Sequence, residues 1–200
     1  MASEERGTAR LLRAASLGLA ALLLPTLLGA TVYHTEDEAV AIAFPDATRV
    51  ESTNVVLDDD LQAKVSAQVG YPIKERLLVL REAYRGDVLL GRAFALDEIA
   101  KTLPFRFLVA LRPDGAVDQV LVLTYRESRG AEIERSTFRE QYEGKTLKDP
   151  IRRGEDIRNV SGATISVDSL SRGVRRALAL WAALADSPQL ARARAHAEAR

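Results

Sequence analysis

The chain has 200 residues, 47% hydrophobic and 28% charged, which suits one ordinary globular core and leaves little room for two. Its 28 basic residues are balanced by 28 acidic ones, so no excess of Lys and Arg is left to neutralise a phosphate backbone, and the composition argues against a nucleic-acid partner. With no Cys, and with His34 and His196 as the only histidines, the chain lacks the means for thiolate, iron–sulfur or haem ligation, and a His-based metal site or Ser-His-Asp triad is not expected. Its chemistry must use carboxylates, hydroxyls or a borrowed cofactor.

Ala14 to Val32 reads AASLGLAALLLPTLLGATV without a charge, preceded by Arg6, Arg10 and Arg13 and followed by Glu36, Asp37 and Glu38. As a helix it would be about 28 Å long, close to the hydrocarbon thickness of a bilayer. The arginines should stay in the cytoplasm while the rest crosses. An uncleaved single-pass anchor in the cell inner membrane and a secretory signal cut after Leu28-Gly29-Ala30 both fit. The stretch exceeds the roughly 7–15 residues of a signal core, which favours the anchor. A buried core helix is the third possibility, against which the all-round apolar surface argues. The expected organisation is a cytoplasmic N-terminus and anchor over 1–33, an extracytoplasmic (periplasmic) domain over 34–190, and a charged tail, ARARAHAEAR, over 191–200.

Beyond the anchor, Glu36 to Phe44 is a short helix stopped by Pro45, and Arg49 to Leu57 alternates as a strand. Asp58-Asp59-Asp60 supplies capping carboxylates for a helix from Leu61 to Val69 that ends at Gly70-Tyr71-Pro72. From Arg76 the period changes: a strand runs into Tyr84, turns at Arg85-Gly86-Asp87 and returns over Val88 to Leu96. Phe105 to Leu111 and Val117 to Tyr125 are joined by a Pro113-Asp114-Gly115 turn. Four strands in two hairpins predict an α+β fold, an antiparallel β meander packed with helices and preceded by one transmembrane helix.

The chemistry concentrates in EDIRNVSGATISVDSLSRGVRRALALWAALA, residues 155–185. From Asp168 the helical stripe Leu170, Val174, Leu178 and Trp181 is clear, with Arg172, Arg175 and Arg176 elsewhere on the wheel. Upstream, Ser161-Gly162-Ala163-Thr164-Ile165-Ser166 is a run of small and hydroxyl residues where the helix must begin. One reading makes Ser166 an N-cap and Gly162 a turn. The other is a phosphate site, since helix-start amides and the macrodipole favour an anion and small residues let it approach the backbone.

GEDIRNVSGATISVDSLSRGVRRAL resembles the signature of the FMN-binding domain family, found in the covalent-FMN subunits of Rnf- and Nqr-type electron transport complexes and in related exported flavoproteins. In that family the threonine ending the motif forms a phosphoester with FMN, installed from FAD by a separate Mg-dependent flavin transferase. The resemblance implies that Thr164 is the attachment residue and that Ser161, Gly162, Ala163, Ile165 and Ser166 surround the phosphate. Tyr125-Arg126-Glu127-Ser128-Arg129-Gly130 is similar to the family's Glu-Thr-Pro-Gly turn near the flavin, with Ser128 and Arg129 in place of Thr and Pro. Phe138 and Tyr142, followed by Gly144-Lys145, match an aromatic pair before a Gly-Lys; one helical turn apart, the two rings either pack on the isoalloxazine or form core. The chain departs from the family at Arg158, where many members carry Asp six residues before the threonine; here Asp156 lies two residues earlier.

Three functions follow as expectations. The favoured one is a membrane-anchored electron-transfer flavoprotein, a component rather than a stand-alone enzyme. It would carry covalent FMN and work with a flavin transferase and other redox subunits. The second is a noncovalent FMN-dependent reductase, for which Glu127 is the one acid or base on offer. The third is a flavin-free scaffold of the same fold. No metal is expected in any of them.

Overall fold

The structure is a computed structural model, and it describes residues 29–185, 187, 188, 190 and 191. Most of the expected membrane anchor (residues 14–28) and the charged tail from 192 onward lie outside the described residues. Among the described residues no helix is long and apolar enough to cross a membrane. The described part of the apolar segment, residues 29–32, is not helical. Thr31–Val32 form a short strand, β1, in register with Tyr125 and Thr124, and the Tyr33 amide donates to the Leu123 carbonyl at 2.8 Å. The sequence reading carried the helical segment through Val32; β-branched Thr31 and Val32 instead fill the open edge of a sheet.

The remaining elements follow in chain order: α1 Glu36–Ala43, β2 Arg49–Val56, α2 Asp59–Val69, β3 Leu77–Arg85, β4 Val88–Ile99, β5 Pro104–Leu111, β6 Val117–Tyr125, the short α3 Ser136–Arg139, and α4 Thr164–Leu184. The strands form a single antiparallel sheet in the order β1-β6-β5-β4-β3-β2. The meander expected from the two hairpins is present, widened by β2 on one edge and β1 on the other. Local chemistry explains the helix starts. Thr35 and Glu38 form a reciprocal capping box on α1, and the Asp58 carboxylate accepts from the Leu61 amide at 2.9 Å to cap α2.

Alternation sorts the central strands into two faces. Phe105, Phe107, Val109 and Leu111 of β5 join Val120, Val122 and Tyr125 of β6 in the main core beneath α4 and α2. Leu108, Ala110, Leu121 and Leu123 face the other way and pack with Ala83 and Ala93 against Ala39, Val40, Ala43 and Phe44 of α1. The result is three layers, with helices on both faces of the sheet. Complete burial of Val167, Leu170, Val174 and Ala177 along α4 makes this helix the principal cover of the main core. Each of the larger three contributes on the order of 1.5–3 kcal/mol as an upper estimate.

One arginine of α4 is buried rather than solvated. Arg176, expected off the apolar stripe, is buried; it donates to the Asp97 carbonyl at 2.6 Å and pairs with Glu75 at 2.8 Å and Glu98 at 3.3 Å. Arg172 joins the same cluster through Glu98 at 2.8 Å. Gly173 sits between them where α4 comes nearest the sheet. A Cβ there would overlap the Phe107 ring, with Cε2 at 3.0 Å, and would meet Cγ of Glu98 at 3.1 Å. Gly173→Ala is therefore expected to destabilise the fold by about 1–3 kcal/mol, read as a lower urea midpoint with unchanged m-value, although alanine is the better helix former.

Candidate functional site

The approach to α4 is an irregular segment held by one carboxylate. Asp156 accepts the Lys145 ammonium at 2.8 Å and the amides of Ile151 and Arg152 at 3.1 and 2.9 Å. Burial pushes its carboxyl upward, but the ammonium and the two amides outweigh that and hold it below the ordinary Asp value. Next, Arg158 donates through its amide and Nε to Oε1 of Gln141, at 2.8 and 3.3 Å, and its side chain is exposed. The chain then turns through Ser161-Gly162, with Gly162 at φ +84° and open space where a Cβ would stand.

Helix α4 starts at Thr164, three residues before the start that a Ser166 N-cap would give. Ala163 occupies the cap, and no side chain bonds to the first-turn amides there. This end of the helix offers donors and positive dipole to a ligand. Thr164 is half-buried, Ser161, Gly162 and Ile165 are exposed, and Ala163 is buried beneath them. The Asn159 side-chain amide donates to the Thr164 hydroxyl oxygen at 3.2 Å, leaving its proton and a lone pair for other use. Asn159 was not singled out by sequence; an amide five residues before the threonine is the signal that was available.

Ser166 faces away from this opening. Its hydroxyl is buried and lies 2.6 Å from the Tyr125 hydroxyl, which itself donates to the Arg129 carbonyl at 2.7 Å. Since the phenol proton is committed to that carbonyl, the serine donates to the phenol oxygen. Burial raises the Tyr125 pKa and keeps the phenol neutral. Gly130 closes the corner at φ +94°, where any Cβ would collide with both hydroxyls. Ser166 is therefore a tie between α4 and β6.

The other residues expected near a flavin are distributed as follows. Glu127 accepts from the Thr102 amide and hydroxyl at 2.5 and 2.9 Å and from the Leu103 amide at 2.7 Å. These bonds lower its pKa and commit it to the β4–β5 turn. Ser128 is exposed beside it. Phe138 and Tyr142 are both buried, edge to face with centroids 5.8 Å apart, and the Tyr142 hydroxyl lies 2.9 Å from that of Ser171 on α4. Of the two roles open to this pair, the structure places them in the core. Among the described residues no group of three or more His, Asp or Glu is placed to hold a metal.

Residues 102–179 match the FMN-binding domain family. This segment belongs to that family. The match takes in β5, β6 and all of α4 but its last five residues, so the FMN-binding domain's signature coincides with the uncapped helix start just described. Among solved structures, the chain is similar to a Na(+)-translocating NADH-quinone reductase subunit from Parabacteroides distasonis. The TM-score is 0.51 and the identity 14%, over 78% of this chain and 86% of that one. At that identity the likeness concerns the fold. No curated protein matches the chain.

The depressed Asp156 pKa carries a sign. Its stabilising contribution is fully present above the unfolded Asp value of about 3.9 and is lost as the pH falls through the lower folded value. Urea midpoints measured from pH 6 to pH 2 should fall more steeply for the wild type than for Asp156→Asn, which should already be less stable at pH 6. Parallel curves for the two proteins would contradict this role.

Proposed function

We propose that the FMN-binding domain carries FMN esterified to Thr164 and serves as an electron-transfer component of a multi-subunit membrane redox system. The observation that carries this reading is the half-buried Thr164 oxygen, held by Asn159 at a helix start that no side chain caps. The residues present suit a phosphomonoester in both shape and charge. Gly162 leaves open space beside the threonine, and the amides of the first turn favour an anion. When bound, the flavin supplies one- or two-electron chemistry that this Cys-free chain does not otherwise possess.

Attachment involves no oxidation. Thr164 Oγ bonds to the flavin-side phosphorus of FAD, the bond from that phosphorus to the bridging oxygen breaks, and AMP departs with the electron pair. A base on a separate transferase takes the threonine proton. Asn159 orients Oγ for this step without consuming the hydroxyl proton. Exposure of Ser161, Gly162 and Ile165 leaves the threonine approachable by another protein.

The anchor belongs to the same proposal. Residues 14–28 carry no charge and follow Arg6, Arg10 and Arg13, the order expected of an anchor whose arginines stay on the cytoplasmic side. The domain would then begin at β1 immediately outside the inner membrane.

Full-length protein co-expressed with a flavin transferase should fluoresce as flavin in a denaturing gel. Thr164→Val should abolish the band while shifting stability by no more than about 0.5 kcal/mol, as for other substitutions near the surface. Asn159→Ala should weaken labelling at early times. A dark wild-type band, or a fluorescent Thr164→Val band, would overturn the reading.

A further inference from the structure

We propose that the end of the sheet at which β1 enters rests on the outer surface of the membrane that holds the anchor, with Ile99 and Leu103 at the centre of the lipid contact. The inference rests on the anchor in the proposed function and deepens it by naming the surface that meets lipid.

Strand register gathers the contact at one end. β1 runs antiparallel to β6 with Thr31 opposite Tyr125, so the chain before Thr31 leaves beyond the last residue of β6. Thr124 pairs with Arg106, Arg106 with Asp97 and Ile99 with Pro104, which brings the β4–β5 turn to the same level. Glu127 ties that turn to the exit of β6 through the amides of Thr102 and Leu103. Leu80 pairs with Phe94, so Leu77 and Asp97, each three residues further, stand level; Val56 pairs with Leu77 at the edge. Helix α4 also begins at this end, since Ser169 in its second turn donates to the Ile99 carbonyl.

Apolar exposure follows this row. Val56, Leu77, Ile99, Leu103 and Ile165 are between 37% and 62% exposed, and they make up five of the ten large hydrophobic side chains left exposed among the described residues. Scattered apolar side chains are ordinary on a surface, whereas a row of them along one end marks an interaction surface. With strands about 4.8 Å apart, the row spans roughly 24 Å from β1 to β2. Charge at its centre is positive. Lys101, Arg126 and Arg129 are exposed there, against one carboxylate, Glu127, that is already committed to the turn. At the β2–β3 corner the exposed charges balance, Lys74 and Arg76 against Asp59 and Asp60.

The tether selects the occupant. No Asp, Glu, Lys or Arg occurs between Arg13 and Glu36, and only Gly29 and Ala30 separate residue 28 from β1. Fully extended, that connection spans about 10 Å, so this end of the domain stays at headgroup depth wherever the anchor is inserted. A bilayer offers phosphates to the three cations and acyl chains to the apolar row, the pairing that holds interfacial surfaces.

Because the chain has no Cys, one label can be placed at a chosen site. Full-length protein carrying Leu103→Cys, or Val88→Cys at the opposite end of the sheet, is labelled with an environment-sensitive fluorophore and reconstituted in phosphatidylcholine vesicles holding phosphatidylglycerol and nitroxide-bearing lipid. Resistance to alkaline carbonate reports the anchor separately. The Leu103 label should be quenched at least about twofold more than the Val88 label, with blue-shifted emission. Adding Lys101→Glu and Arg126→Glu, or omitting phosphatidylglycerol, should move the Leu103 reading towards that of Val88. Equal quenching at the two sites in carbonate-resistant protein would overturn the lipid contact alone and leave the face to a protein partner. Release of the wild type by carbonate would overturn the contact together with the anchor.

Discussion

The close seating of α4 on the sheet is the constraint on which the candidate site depends, because it fixes where Thr164 emerges. Three buried serines pin this helix at successive points. Ser166 meets Tyr125 of β6, Ser169 donates to the Ile99 carbonyl of β4 at 2.6 Å, and Ser171 meets Tyr142. Short polar side chains of this kind satisfy partners at close range, and Gly173 lets the backbone approach Phe107 just beyond them. A helix held only by Leu and Val could slide or rotate at modest cost. One held through directed hydroxyls has a single register.

Buried charge reinforces the same register. Glu98 lies between Arg172 and Arg176, and Glu82 pairs with Arg92 at 2.7 Å, whose guanidinium stacks on Trp181 with its carbon 4.0 Å from the ring centroid. Pairs like these add little net stability, since desolvation offsets most of the attraction, but breaking one leaves a costly charge behind. They act near the middle and the far end of α4, whereas the serines act near its start and middle. The first turn, which carries Thr164, has no side-chain cap and is left available by construction.

Where an element's signal lies within a few neighbouring residues, it was legible in the sequence. Pro45 stops α1, Asp58 and Gly70 bracket α2, and Pro113-Asp114-Gly115 turns β5 into β6. What escaped depends on distant partners. Thr31 and Val32 read as the tail of an apolar helix because their strand partners, Tyr125 and Thr124, are far downstream. Ser166 reads as a cap because nothing adjacent reveals that Tyr125 claims its hydroxyl. Arg176 carries no local mark distinguishing it from a solvated arginine; its burial follows from Glu75 and Glu98. The Ser-Gly-Ala-Thr run was conspicuous, yet the amide of Asn159 that orients its threonine emerged from the geometry.

The candidate site turns on one oxygen atom, and mass spectrometry of the tryptic peptide Asn159–Arg172 addresses it directly. Protein from cells that possess a flavin transferase should yield this peptide heavier by FMN less one water, with fragmentation placing the added mass on Thr164. An unmodified peptide from such cells, or the added mass on Ser161 or Ser166, would contradict the assignment.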